Sequence, residues 1–371
     1  MRGLKTLAVI AASIVLAGCA SAPAAIETVE PSAATSAAAA SQPTSRLGLT
    51  CDDLLSPVLV ANVLNTTTVT TDLMVRPASA SPLGYSVSQF GGSSCLARGE
   101  EAAQSWVSVQ VLPEATAQWA TYAEKNTDVV TGASSSFGDA SNVSCFAFGA
   151  DSTCSVNVLV GDNWIEVIAR GIAVEPSLSN EAVAEFAAPL ITDIVSTVTN
   201  AAASGPVGAA PALTGVLPSD CAVYATVDEY RAAFGTAEEV LIGRQSDGEV
   251  WGIDNAAATI VAVDGCTWVP ASTGQTWPLY ITALPGGEWA FDRSSALMTA
   301  DDSAQTVSDS VAGVDRATFG CQVYSGFCTL DTVIAGNWVQ FSAERDLIGT
   351  EDEVRALLIE IAERAVARFP A

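Results

Sequence analysis

The chain has 371 residues and 49% of them are hydrophobic, so it is long enough for about two domains and apolar enough to give each a core. It carries 41 acidic and 15 basic side chains and no histidine, a formal net charge of −26 at pH 7. Such an acidic surface repels phosphate backbones and anionic headgroups, so we expect no nucleic acid partner.

The N-terminal residues have the pattern of a bacterial lipoprotein signal. Arg2 and Lys5 precede an apolar stretch, Leu7 to Leu16, which is too short to span a bilayer and leads through Ala-Gly to Cys19. We expect the signal, residues 1–18, to be removed and Cys19 to carry a diacylglycerol thioether. The alternative is an ordinary secretory signal with an incidental cysteine. Without Arg2 and Lys5 the formal charge changes from −26 to −28.

Residues 19–45 are predicted to be a lipidated, disordered tether. From Ala20 to Ser45 the chain consists mainly of Ala, Ser, Thr and Pro and has no sustained hydrophobic period. No later stretch approaches the eighteen or so consecutive apolar residues typical of a spanning helix. We therefore expect a protein held at the extracytoplasmic face of the cell membrane by its lipid alone.

One stretch occurs twice and indicates the architecture. Cys145 to Trp164 contains two cysteines, an alternating valine run, a Gly-Asp-Asn turn and a tryptophan, and Cys321 to Trp338 has the same plan. The distance from the second cysteine to the tryptophan is ten residues in both. Each copy predicts a hairpin stapled by its cysteines, followed by a further strand.

Helix signals recur in the same order around the two stapled hairpins. Ser56-Pro57 predicts a helix start, and Thr226 to Glu229 predicts a capping box for a helix ended by Gly235. A final helix is expected after Asn180 in the first copy, with Phe186 among its inward residues, and after the capping box Thr350 to Glu353 in the second.

The remaining pattern predicts strands and two helices that carry tryptophans. Strands are expected at Tyr85–Gln89, at Trp106–Val111 and at residues 277–284. The last two each lead to a Leu-Pro pair and then to a helix with Trp119 or Trp289. The fold class is α+β, with two tandem repeats, residues 46–200 and 216–371, joined by an Ala-, Gly- and Pro-rich linker at 201–215.

Eight cysteines remain beyond Cys19, an even number that suits an oxidising compartment and a disulfide framework. Eight cysteines allow 105 pairings, and four in each repeat leave three pairings per repeat. We favour short pairs across the hairpins and long pairs near the start of each repeat: Cys145 with Cys154, Cys321 with Cys328, Cys51 with Cys95, and Cys221 with Cys266. Zinc is the rival interpretation, and the lack of histidine and of any Cys-x-x-Cys pair counts against it.

Several of these motifs resemble a large family of actinobacterial lipoproteins whose domain has no assigned function. The motifs are Cys51-Asp-Asp-Leu-Leu-Ser56, Cys221 with Thr226 to Glu229, and Cys266-Thr-Trp268. Related lipoprotein domains are described as similar to the PsbP-like fold. The resemblance supplies no catalytic residue, and the first repeat departs from it because Ala97 stands where the second has Trp268.

The sequence offers no catalytic, cofactor or metal site of its own. There is no base for a nucleophilic triad, and the mature chain keeps one lysine, Lys125, without a Ser-x-x-Lys partner. Glu100-Glu101, Asp301-Asp302 and Glu351 to Glu353 lack the spacing of a calcium loop, so we interpret them as solvated acidic surface. Six tryptophans were weighed, and core packing is favoured over ligand stacking for them: Trp106, Trp164, Trp251, Trp277, Trp289 and Trp338.

These observations predict a non-catalytic binding or interaction module of the cell envelope. Its partner would be an envelope protein or, alternatively, a small apolar or glycan ligand carried between or within the repeats. The third hypothesis is a carboxylate-based hydrolase. A large exposed aromatic patch would favour the first, an enclosed apolar cavity the second, and buried carboxylates clustered in a cleft the third.

Overall fold

The structure is a computed structural model that describes residues 41–73, 81–99, 105–148, 152–172, 174, 179–205, 207–213, 215–244, 250–272, 278–300, 304–322 and 326–369. Ala40 to Ala371 forms one compact unit. The signal and most of the tether therefore lie outside the described residues, as do Trp277 and two of the acidic pairs weighed as calcium ligands.

Two seven-stranded antiparallel sheets of identical topology form this unit. The strand order is β1-β2-β3-β7-β6-β5-β4 in sheet one and β8-β9-β10-β14-β13-β12-β11 in sheet two. The strands of sheet one are β1 Val69–Leu73, β2 Ser93–Gly99, β3 Trp106–Leu112, β4 Val130–Thr131, β5 Ala140–Phe146, β6 Thr153–Val160 and β7 Asn163–Arg170. Those of sheet two are β8 Val240–Arg244, β9 Asp264–Pro270, β10 Leu279–Leu284, β11 Ala304–Asp309, β12 Arg316–Gln322, β13 Phe327–Ile334 and β14 Asn337–Glu344.

Helices join and cover these strands in matching order. In repeat one they are α1 Cys51–Leu54, α2 Pro57–Leu64, α3 Ser86–Gln89, α4 Thr116–Lys125 and α5 Asn180–Ser204. In repeat two they are α6 Val227–Phe234, α7 Ile253–Val261, α8 Glu288–Ala300, α9 Arg345–Ile348 and α10 Glu351–Val366. The predicted α+β class with two repeats, each built on an antiparallel sheet, is confirmed.

Capping boxes start α6 and α10 as predicted, and α2 starts at Pro57 as predicted, although Ser56 makes no side-chain capping hydrogen bond. Thr226 and Thr350 each accept a hydrogen bond from the backbone N–H of the glutamate three residues on, and that glutamate accepts one in return from the threonine N–H. Gly235 ends α6 with a left-handed φ of 61°. A third capping box, between Thr50 and Asp53, starts α1 and was not predicted.

One side of each sheet is covered by the long C-terminal helix of its own repeat. In repeat one α5 packs Val183, Leu190 and Ile194 against the valines of β3, β6 and β7. Among the described residues α5 is the single helix long and apolar enough to cross a membrane, with a mean hydropathy of 1.3. That composition was not expected. About a third of its apolar window is buried, and the buried residues pack against sheet one.

The four disulfides have the pairings favoured from the sequence. Two join β-hairpin neighbours in register, Cys145 with Cys154 and Cys321 with Cys328. The other two fasten the first helical turn of each repeat to its second strand, over sequence separations of 44 and 45 residues. Because each disulfide lies within one repeat, the two repeats are stapled alike and separately.

Two sequence predictions, the strand at Tyr85–Gln89 and the inward position of Phe186, are wrong. Tyr85–Gln89 is not a strand: residues 82–85 form a 3-10 turn that continues into α3. Pro82 at the start of the turn favours helical φ, and Tyr85 packs against two tryptophans of the other repeat instead of lying in a sheet. Phe186 is 40% exposed on α5 instead of facing inward.

The predicted linker also has structure. Its first residues belong to α5, and the Nε of Arg46 donates to the carbonyl of Gly208 at 2.7 Å.

Candidate functional site

The two repeats contact each other by a reciprocal exchange of short helices, and we call this contact the seam. The segment between the first two strands of each repeat, residues 82–89 or α7, packs on the sheet of the other repeat. Tyr85 stands edge-on to Trp289 and Trp338 of repeat two, with ring centres 5.6 and 5.3 Å apart. In return Ile253 of α7 joins the cluster around Trp164 of repeat one.

Buried hydrogen bonds hold the seam in register. The side chain of Gln89 accepts from Trp289 Nε1 at 2.6 Å and donates to the carbonyl of Pro285 at 3.0 Å. The hydroxyl of Ser86 lies within hydrogen-bond distance of two carbonyls, that of Leu83 in its own repeat at 2.7 Å and that of Asp254 across the seam at 2.9 Å, and its single proton serves either. The indole N–H of Trp289 and the carbonyl of Pro285 are buried and find these partners across the seam, so the contact is specific as well as apolar.

The recurring tryptophans mark equivalent polar positions on the two sheets. Trp164 Nε1 donates to Asn157 at 2.9 Å, and Trp338 Nε1 donates to Asp331 at 2.7 Å. Directly across the strand pair, Asn157 faces Glu166 and Asp331 faces Gln340. Each repeat thus has one amide and one carboxyl at this place. The residue that binds the tryptophan is the amide in repeat one and the carboxyl in repeat two.

The part of the seam side of sheet one that α4 and α7 leave uncovered is a polar floor. Cross-strand partners share a face, so the register places Asn142, Asn157, Glu166 and Gln110 in one row. Next to it runs a second cross-strand row, which is half-buried and consists of Ser144, Ser155 and Ile168. We call the accessible residues of this floor the open face: Asn142, Ser144, Thr153, Ser155, Glu166, Ile168 and Arg170.

Glu166 and Asp254 form a carboxyl pair across the seam at one end of the open face. Gln110 Nε2 donates to Asp254 Oδ1 at 2.6 Å, which holds the N-terminus of α7 over the floor. Burial raises the pKa of Glu166 from 4.5 to about 8, the nearby charge of Asp254 adds to the effect, and a hydrogen bond with Asn157 opposes it. At neutral pH Glu166 is therefore mostly protonated and can donate a hydrogen bond.

An exposed aromatic ring borders this pair. Trp251 precedes α7 and is 62% exposed, and Lys125 Nζ from the end of α4 lies 4.8 Å from its ring centre. A Cβ built at the intervening Gly252 would lie 3.7 Å from a carboxyl oxygen of Glu166, which places this turn above the floor. Aromatic, acid and amide groups of both repeats thus meet at one place.

The residues considered as possible site residues in the sequence have the following positions in the structure. Trp106, Trp164, Trp289 and Trp338 are buried, as favoured, and Trp251 is the exception. Lys125 is exposed and lies on an aromatic ring. Glu353 caps α10, and its hydrogen bonds with Thr350 lower its pKa. Within the described ranges no three His, Cys, Asp or Glu side chains are grouped so as to hold a metal ion.

Sequence reasoning missed Glu166, Asp254 and Gln110. Neither carboxyl belongs to a motif, and they come from different repeats, so only the sheet register and the seam bring them together. The sequence does contain one signal. Asn157 and Asp331 stand at the same distance from the second cysteine of each hairpin, and Glu166 and Gln340 at the same distance from the recurring tryptophan, so amide and carboxyl change places between the two repeats.

Shallow cavities also lie at equivalent places beside the first disulfide of each repeat. The one in repeat two is about 460 Å³ and mainly apolar, with Arg244 and Asp264 at its wall. Arg244 Nη2 donates to Asp264 Oδ1 at 2.8 Å, which pairs the two charges, while Asp264 Oδ2 is buried without a hydrogen-bond partner among the described residues. The counterpart in repeat one, about 320 Å³, is lined by residues 42–45, 48–51 and 92–95.

No protein-family model, curated protein or solved structure matches the chain.

Proposed function

We propose that the protein is a lipid-anchored, extracytoplasmic binding protein that holds a polyhydroxylated, glycan-type ligand on the open face without transforming it. The single observation that carries the proposal is the meeting of an exposed tryptophan, Trp251, with a polar floor of amide, hydroxyl and carboxyl groups. A sugar ring offers an apolar face for stacking and hydroxyls that both donate and accept. The open face supplies partners for each of these.

The composition of the open face favours a glycan over a protein partner. Protein interfaces are centred on contiguous apolar and aromatic patches. The accessible floor instead consists mainly of polar side chains such as Asn142, Ser144, Thr153 and Ser155. Ile168 is its single aliphatic member, and one exposed aromatic ring, Phe146, lies at its end. Small polar groups at fixed positions on a rigid sheet suit the recognition of ligand hydroxyls.

The anchoring part of the proposal rests on the sequence around Cys19 and on the resemblance to actinobacterial lipoproteins. Two or three acyl chains on Cys19 would keep the protein on the membrane, because each buried CH2 group is worth about 0.8 kcal/mol. The oxidising compartment that this location implies agrees with four disulfides in the folded unit.

The binding proposal is tested by equilibrium titration of the full chain, in detergent, with a panel of neutral and acidic oligosaccharides. We expect saturable binding that Trp251→Ala weakens at least about fivefold, because an aromatic contact is worth roughly 1 kcal/mol. Leu241→Ala is the matched control, since Leu241 is 54% exposed on edge strand β8. Binding that both substitutions weaken equally, or no binding to the panel, would refute the proposal.

A carboxylate-based hydrolase is the second candidate, and one observation favours it. Glu166 with its pKa of about 8 is a proton donor at neutral pH, and Asp254 is a second carboxyl beside it. This pairing is the basic requirement of glycoside hydrolysis. Release of new reducing ends from a bound oligosaccharide, abolished by Glu166→Gln, would establish the enzyme; intact ligand after prolonged incubation supports the binding protein.

A further inference from the structure

Two arginines of sheet one lack the ion pairs that most other described arginines make. Acidic side chains outnumber basic ones by 41 to 15, so an exposed guanidinium readily finds a carboxylate. Eight described arginines do so: Arg46, Arg231, Arg244, Arg293, Arg316, Arg345, Arg364 and Arg368. Within the described part of the chain, Arg98 and Arg170 are exposed and form no ion pair.

The sheet register places these two arginines in one row. Arg98 and Arg170 both pair with Trp106, one from each side, so all three side chains share the seam side of sheet one. Neighbouring strands are about 4.8 Å apart, which puts the two arginine backbones roughly 10 Å from each other. Trp106 is buried between them, and an arginine can lay its planar guanidinium along such a ring.

The same row continues the open face. Arg170 pairs with Thr153, which pairs with Phe146, a side chain that is 59% exposed. Arg170 lies on β7 beyond Glu166 by four residues, or about 13 Å of extended strand. The floor therefore runs from the carboxyl pair and Trp251, past small polar side chains, to two arginines and an exposed aromatic ring. The distance from the carboxyl pair to the arginines matches the length of a short oligosaccharide.

We propose that the row of Arg98, Trp106 and Arg170 is an anion subsite of the open face, so that the ligand is an acidic glycan with carboxylate or phosphate groups. This inference rests on the proposed function and adds the charge of the ligand to it. Guanidinium groups bind carboxylate and phosphate oxygens through charge-assisted hydrogen bonds, which are stronger than neutral ones. Because Arg98 and Arg170 form no ion pair with the residues that the structure describes, both guanidinium groups can take an incoming anion.

The experiment compares matched acidic and neutral probes on the full chain in detergent. The carboxylate pair is trigalacturonic acid and its methyl ester, and the phosphate pair is phosphorylated maltotriose and maltotriose. Titrations are run at about 0.15 M salt, where charges more than about 8 Å apart are largely screened. The variants are Arg98→Gln and Arg170→Gln, with Arg231→Gln as the control for net charge, because Arg231 lies on α6 and already pairs with Asp228.

We expect at least one acidic probe to bind about tenfold more tightly than its neutral partner, which is the scale of a charged hydrogen bond. Arg98→Gln or Arg170→Gln should weaken binding of the acidic probe far more than binding of the neutral probe and so remove that preference, while Arg231→Gln should change neither affinity. The acidic pair that shows the preference identifies the carboxylate or the phosphate as the anion.

Three results would overturn the anion subsite. Equal affinities within both pairs would refute it while leaving the proposed function intact, provided that Trp251→Ala still weakens both probes. If Arg231→Gln lowers the affinity for the acidic probe as much as Arg170→Gln does, the effect is one of net charge and not of a specific site. Absence of binding by all four probes would count against the anion subsite and the proposed function together.

Discussion

Replacing Asp331 by asparagine should stabilise the protein at neutral pH. Asp331 is 8% exposed and accepts hydrogen bonds from Trp338 Nε1 at 2.7 Å and from Gln340 Nε2 at 2.9 Å. Burial raises its pKa from 3.8 to about 6 despite these hydrogen bonds. Repeat one has Asn157 at the equivalent position, with the same hydrogen bond from its tryptophan, so the fold accepts an amide there.

The magnitude follows from the two pKa values. As pH rises, the unfolded chain releases this proton near pH 3.8 and the native protein releases it only near pH 6. The native state binds more protons between these values, so the free energy of unfolding falls across this interval and then levels off. A tenfold change in proton affinity is about 1.4 kcal/mol, which gives a loss of about 3 kcal/mol from Asp331.

Asp331→Asn removes this loss because an amide does not ionise. We expect the variant to match the wild type below pH 4 and to exceed it by about 1 to 3 kcal/mol at pH 7, after allowance for weaker hydrogen bonds to a neutral acceptor. The measurement is urea unfolding of the full chain, with disulfides intact, at pH values from about 3 to 8. The converse substitution, Asn157→Asp, places a second carboxyl beside Glu166 and should destabilise the protein over the same range. A difference between wild type and Asp331→Asn that does not change with pH, or a variant less stable at pH 7, would refute the reasoning.

Three further predictions follow from the anchor, the seam and the carboxyl pair. Cys19→Ala should release the protein from membranes or block its processing; a variant that stays membrane-bound and lipid-labelled would show that the lipoprotein interpretation is wrong. Gln89→Ala should lower the free energy of unfolding by about 2 to 4 kcal/mol, because it leaves a buried indole N–H and a buried carbonyl unsatisfied. Trp289→Phe removes the indole N–H that Gln89 binds, so the double variant should lose less stability than the sum of the losses of the two single variants. Losses that simply add would contradict the hydrogen-bond account. Glu166→Gln should flatten the decline in stability between pH 4.5 and about 8, since the raised pKa makes the wild type lose stability as pH rises through that range; an unchanged slope in urea unfolding would contradict it.

The repeat, the capping boxes and the disulfide pairings could be predicted because each depends on local chemistry. Thr226 and Glu229 are three residues apart in the chain, and Cys145 and Cys154 flank one turn. The strand prediction for residues 85–89 is wrong because five residues of alternating pattern do not reveal that Tyr85 packs against tryptophans more than two hundred residues later. Tertiary contacts across the seam outweighed the local period there.

The candidate site was beyond prediction for a related reason. Glu166 and Asp254 lie in different repeats, and nothing in the spacing of either carboxyl marks it as functional. The open face results from the sheet register and from the limited extent of α4 and α7, which leave part of the sheet uncovered. Such an uncovered surface is a property of the assembled fold rather than of any motif.

The most direct test of ligand binding on the open face is photo-crosslinking in living cells that produce the full chain. A benzophenone amino acid is placed at Ile168 on the open face and, as the control, at Thr199, which is exposed on α5 at the opposite side of sheet one. Mass spectrometry then identifies what is attached. We predict a saccharide adduct from position 168 and none from position 199. Only protein adducts at position 168, or the same adducts from both positions, would contradict the account.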